Sequence, residues 1–106
     1  MVARRRAADA PSLTVGGVTL DAASGRAIAG GQELSLTKTQ FGLLEHLMRH
    51  TGRVCSREEL MSEVWGYPEP IGTRTIDVHV AALRAKLGRA LPISTVRGQG
   101  YRVDPI

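Results

Sequence analysis

Apolar residues recur along this chain with two different periods. From Leu13 to Leu36 they come in short runs, Leu13-Thr14-Val15, Val18-Thr19-Leu20-Asp21, Arg26-Ala27-Ile28-Ala29 and Glu33-Leu34-Ser35-Leu36, split by Gly16-Gly17, Ser24-Gly25 and Gly30-Gly31. Short alternating runs broken by glycine are hairpin signals, so this segment predicts a four-stranded antiparallel sheet. The period changes at Thr37. Thr37 and Gln40 are spaced as a capping box, Leu36 and Phe41 as a hydrophobic staple, and Phe41, Leu44, Leu47 and Met48 follow at helical intervals. A first helix is expected from Thr37 to about His50, with Gly52 as its stop.

A second capping box, Ser56 with Glu59, opens a short helix carrying Leu60, Met61, Val64 and Trp65, closed by Gly66 and Pro68. Residues 66–72 hold two prolines and read as a loop, because proline lacks a backbone donor and pushes the preceding residue toward extended geometry. A third helix is expected over about 73–87, with Ile76, Val80, Leu83 and Leu87 as one apolar stripe and Gly88 as its end. Ile93-Ser94-Thr95-Val96 and Tyr101-Arg102-Val103 then predict two strands of a hairpin turning at Arg97-Gly98-Gln99-Gly100. The order is sheet, three helices, hairpin: an α+β domain over 13–106, preceded by a flexible linker or tail over 1–12 that lacks periodicity.

Composition adds the partner class. The chain has 106 residues, 42% hydrophobic and 23% charged, which suits one soluble domain with one modest core. The formal charge of +4 is unevenly spread: residues 70–106 hold six Lys/Arg against two Asp/Glu, whereas 10–69 hold five against seven. A nucleic-acid face is therefore expected toward the C-terminal end. Cys55 is the single cysteine, which excludes an intramolecular disulfide and points to a reducing, cytoplasmic setting. No apolar run is long enough to span a bilayer, no apolar stretch follows Met1–Arg6 to make a signal peptide, and no membrane partner is expected. An enzyme is disfavoured as well, for want of a phosphate-cradling glycine loop, a nucleophile beside a base, or a carboxylate pair in an apolar setting. No cofactor is expected.

Opposite its apolar stripe the third helix holds Arg74, Val78, Ala81, Ala82 and Ala85, flanked by His79 and Lys86 on one side and Asp77 and Arg84 on the other. A slim face edged with cations suits a major groove about 12 Å wide between two phosphate rails. The same alanines would also suit packing or a solvated helix. The helix-loop-helix and the glycine-tipped basic hairpin that follows it decide between these readings, since one helix then enters a groove while a wing reaches the next.

These residues carry a resemblance to the OmpR/PhoB effector domain. It lies in Leu36-Thr37, Phe41 and Leu43-Leu44, in Ser56-Arg57-Glu58-Glu59-Leu60, in Val64-Trp65-Gly66-Tyr67, in Arg74-Thr75-Ile76-Asp77-Val78-His79-Val80, in Leu83-Arg84-Ala85-Lys86-Leu87, and in Thr95 through Arg102. The resemblance implies a winged helix-turn-helix in a bacterial transcription regulator, binding double-stranded DNA as repeated half-sites with homodimers on them. It implies Arg74, His79 and Arg84 as phosphate contacts, Val78 as a thymine-methyl contact, Thr95 as a backbone contact and Arg97 as the minor-groove arginine. Residues 66–72 resemble a segment that contacts RNA polymerase, with Tyr67, Glu69 and Ile71 as the candidates; the loop is equally a plain turn. The resembled family normally places a phosphoacceptor receiver domain before this one, so a stand-alone effector or the C-terminal part of a longer regulator is expected, and the Arg-rich, Pro-containing start, which reads as an interdomain linker, favours the second.

Two departures bear on readout. Ala81 and Ala82 stand where relatives carry long polar side chains, so hydrogen-bond readout from mid-helix is expected to be weak; Gln40 replaces a glutamate yet keeps the capping box. His46 and His50 have the i, i+4 spacing of a metal pair with Cys55 nearby, but the sequence shows no further ligand, so solvated histidines and no metal are expected. Trp65 is expected in the core. The competing reading of the whole chain is a winged helix used for protein docking, against which the cations Arg74, Arg84 and Arg97 around helix and wing argue.

Overall fold

The computed structural model describes residues 12–65 and 74–104, the side chains of Trp65, Arg74 and Thr75 excepted. Strands β1 (Ser12–Val15), β2 (Val18–Asp21), β3 (Arg26–Ala29) and β4 (Gln32–Leu34) form an antiparallel sheet in sequence order. Leu13 pairs with Leu20, and Leu20 with Ala27, so each strand turns the same face inward. β1 begins one residue before the expected domain start. β4 ends two residues before the expected Leu36, and the Ser35 carbonyl just beyond it accepts from Lys86 Nζ at 2.6 Å.

Helix α1 (Lys38–Arg49) starts as its capping box dictates. Thr37 Oγ1 accepts from the Gln40 amide at 3.1 Å, and Gln40 Oε1 accepts from the Thr37 amide at 3.0 Å. Helix α2 (Arg57–Leu60) is capped by Ser56 and runs into a π-helical turn at Met61–Trp65, an irregularity that hydrophobic spacing does not signal. Helix α3 (Arg74–Leu87) ends at Gly88, whose φ of 58° stops it. Strands β5 (Ile93–Val96) and β6 (Gly100–Val103) form the hairpin.

One core joins these layers: Val18, Leu20 and Ala27 from the sheet, Leu43, Leu44 and Leu47 from α1, Leu60 and Met61, and Ile76, Val80, Leu83 and Leu87 from α3. Each such aliphatic side chain contributes about 1.5–3 kcal/mol by burial, against about 0–1 kcal/mol for a surface ion pair. The apolar stripe, not surface charge, therefore fixes which face α3 turns outward. β6 is pinned to the segment before α2 by paired bonds, Cys55 amide to Tyr101 carbonyl at 2.8 Å and Tyr101 amide to Cys55 carbonyl at 3.0 Å. Gly100 makes this approach possible. A Cβ there would lie 2.0 Å from the Cys55 carbonyl oxygen, at a φ of 148° that L side chains rarely adopt.

Candidate nucleic-acid interface

With Ile76, Val80, Leu83 and Leu87 buried, α3 turns Val78, Ala81 and Ala85 to solvent. Val78 is 68% exposed, a valine held in the open on a helix whose other large apolar residues are covered. His79, Asp77 and Ala82 are half-buried at the margins of this face, so Ala82 lies less centrally than its helical-wheel position suggests. Arg97, Gly98 and Gln99 are exposed at the tip of the β5–β6 hairpin, whose turn is closed by Gln99 amide to Val96 carbonyl at 2.9 Å. The side chain of Arg74, and the loop residues Tyr67, Glu69 and Ile71, lie outside the described residues, as does the side chain of Trp65.

The two cations expected along the edges of α3 have partners inside the fold. Arg84 donates from Nε and Nη2 to the Ile93 carbonyl at 3.0 and 2.7 Å, and from Nη2 to Thr95 Oγ1 at 2.6 Å. Charge-assisted bonds to two groups of β5 make Arg84 a tether between α3 and the hairpin. Lys86 Nζ donates to the Ser35 carbonyl at 2.6 Å and to Gln40 Oε1 at 2.8 Å, tying the end of α3 to the start of α1. Both side chains bend back onto carbonyl, hydroxyl and amide oxygens of the fold that lie within reach.

A second tether centres on Asp77. Its Oδ1 accepts from Arg57 Nε at 2.8 Å and from the Tyr101 hydroxyl. Two guanidinium groups lie over the Tyr101 ring, Arg57 at 5.4 Å and Arg84 at 5.5 Å from its centroid. Burial, then the bond to Asp77, push the Tyr101 phenol above its ordinary range, because both disfavour a phenolate there. Residues from α2, α3 and β6 thus meet at one carboxylate, and the hairpin is held in fixed register beside α3.

The histidines are also not solvated as expected. His46 Nε2 lies 2.6 Å from Glu59 Oε2, and His50 Nδ1 donates to the His46 carbonyl at 2.9 Å. Arg53 binds both oxygens of Glu59, at 3.1 and 2.6 Å, and with His46 behind it holds that carboxyl down at about 2. Sequence reasoning missed Glu59 as a neighbour of His46 because thirteen residues and a chain reversal separate them, and it missed the Arg57–Asp77–Tyr101 group for the same reason.

A slim exposed helix face with a hairpin locked beside it, carried on helices α1 to α3 and a small sheet, is a winged helix-turn-helix. The chain belongs to the family described as transcriptional regulatory protein, C terminal, which matches residues 31–103; these are the effector domains of OmpR/PhoB-type regulators. It is 44% identical over 89 residues to the phosphate regulon transcriptional regulatory protein PhoB of Escherichia coli K12, covering 81% of this chain and 39% of that protein. It is 41% identical over 95 residues to the transcriptional regulatory protein VxrB of Vibrio cholerae, covering 90% of this chain and 38% of that one. The chain thus spans well under half the length of these relatives. Its fold matches the DNA-binding domain of CpxR from Escherichia coli, at a TM-score of 0.79 and 39% identity over 90% of this chain and 97% of that one. It matches equally, at 0.79 and 28% identity over 90% and 98%, the Klebsiella pneumoniae RstA DNA-binding domain in complex with the RstA box.

Proposed function

We propose that this domain binds double-stranded DNA sequence-specifically to regulate transcription in the bacterial cytoplasm, with α3 in the major groove and the β5–β6 hairpin as a wing in the adjacent minor groove. The observation that carries this reading is Val78, 68% exposed at the centre of the α3 face while Arg97 stands exposed at the wing tip. An isolated valine methyl suits the thymine C5-methyl, and a narrow A·T-rich minor groove concentrates the negative potential that draws in an arginine. Ala81 and Ala82 let the helix sink deep, Arg74 and His79 reach phosphates, and Thr95 supports the backbone contact. Arg84 and Lys86 serve mainly by holding wing and helix in place. With so little mid-helix hydrogen bonding, specific affinity rests on repeated half-sites filled by two copies, and residues 66–72, through Tyr67, Glu69 and Ile71, form the surface offered to RNA polymerase. Residues 1–12 act as the linker that carries the domain over 13–106, and no catalytic step belongs to it.

Selection from a random duplex pool, followed by salt titration of the winning site against scrambled duplex, tests the proposal. A recovered repeated motif and a negative slope of log affinity against log salt are expected. Absence of any duplex binding at low salt overturns it in favour of a protein-docking domain.

A further inference from the structure

We propose that His46, His50, Cys55 and Glu59 form a binding site for a zinc-class divalent cation, joining α1 to the start of α2. One donor atom from each of the four lies within 4.8 Å of all the others. In a tetrahedral zinc site, with ligand bonds of about 2.0–2.3 Å, donors stand roughly 3.3–3.8 Å apart, so closing the cluster takes shifts of about 1 Å. His46 lies in the last turn of α1 and His50 at its C-cap, while Cys55 precedes the Ser56 N-cap and Glu59 lies in α2, so the cluster joins the end of one helix to the start of the next.

The chemistry of the donors points the same way. The His50 Nδ1 proton is committed to the His46 carbonyl, which leaves Nε2 as the atom with a free lone pair; metal-bound histidines are oriented by such a bond. His46 Nε2 faces Glu59 Oε2 at 2.6 Å, so a cation can take the place of the proton between them, the neutral ring then carrying its proton on Nδ1. Arg53 donates to both oxygens of Glu59, at 3.1 and 2.6 Å, and so fixes the orientation of that carboxylate. Two imidazoles, a thiolate and a carboxylate select zinc-class ions over magnesium or calcium. One thiolate and one carboxylate would balance a dication, leaving a neutral centre that suits a site as covered as this one. Cys55 is fully buried, while the side chains of His46 and Glu59 are 13% and 25% exposed, and on binding the thiol proton leaves to solvent. Because the Cys55 backbone pairs with Tyr101, a cation here would stiffen the support of both the helix-turn-helix and the wing.

Cobalt(II) is the probe. Titrated into the chelator-treated, reduced 106-residue chain, it should give a thiolate-to-cobalt charge-transfer band and four-coordinate visible bands, saturating at one equivalent and bleached by zinc. As Cys55 is the single cysteine, the band can arise nowhere else in the chain, and it should not change with protein concentration. His50→Gln should weaken cobalt binding at least tenfold while its circular dichroism stays that of the parent. No charge-transfer band in the wild-type chain, a band that appears only at high protein concentration, or unchanged affinity in His50→Gln overturns the proposal.

Discussion

At the scale of single residues, exposure and hydrogen bonding separate side chains that the helical wheel treats alike. Arg97 is exposed at the wing tip, whereas Arg84 spends its Nε and Nη2 on β5. Arg97→Ala should therefore weaken binding to A·T-flanked sites more than to G·C-flanked ones, because the loss falls on minor-groove shape. Fluorescence anisotropy on matched duplexes checks this, and equal losses would remove Arg97 from the groove. Ala81 is exposed and Ala82 half-buried, so Ala81 is the better place to restore a long side chain. Ala81→Arg should sharpen preference for a guanine at one position by about 1–3 kcal/mol, the usual worth of a bidentate contact, with a thermal midpoint near that of the parent. Competition among single-position operator variants reads the outcome.

At the scale of elements, the wing is a two-stranded hairpin, which alone is marginal in water. It is made rigid by its tethers to α3 and α2: Arg84 on Ile93 and Thr95, and Tyr101 on Asp77. Arg84→Ala should cost more affinity than one phosphate contact and should speed amide exchange along β5, since it frees the hairpin as well as removing a charge. A loss confined to a salt slope lower by about one, with exchange unchanged, would make Arg84 a simple phosphate contact instead. The tether also has an alkaline limit. The Tyr101 pKa is raised above its ordinary 10.0, so its contribution is fully present below about pH 10 and is lost as pH rises through the higher folded-state value. Tyrosinate absorbance should show a step above the ordinary tyrosine range that is missing in Tyr101→Phe.

At the scale of the whole molecule, residues 52–55, between α1 and α2, tie the helices to β6 of the wing. Gly52 donates to the Val103 carbonyl at 2.8 Å, and Cys55 exchanges two bonds with Tyr101. Gly100→Ala would drive a methyl group into the Cys55 carbonyl, which neither backbone can yield without breaking those bonds. A loss of about 3–5 kcal/mol is expected, the range of the most damaging single substitutions, measurable as a lower denaturation midpoint. Among the described residues no helix is long and apolar enough to cross a membrane.

The sequence by itself determined the elements, their order and the buried stripe of α3, because periodicity, capping boxes and glycine stops act through neighbours a few residues apart. Thr37 with Gln40, Ser56 with Glu59, and Gly88 all stand where local chemistry puts them. The outward display of Val78 follows from the same stripe, since burying Ile76 and Val80 leaves it no other direction. Tertiary structure alone decided what the long side chains do. Arg84, Lys86, Asp77 and His46 reach partners nine to fifty-one residues away, and nothing in local spacing says which carbonyl or carboxylate folding will bring within 3 Å. The π turn after α2 and the gathering of Cys55 and Glu59 against the histidines belong to the same class. They are set by how close-packed layers meet, which is a property of the core as a whole.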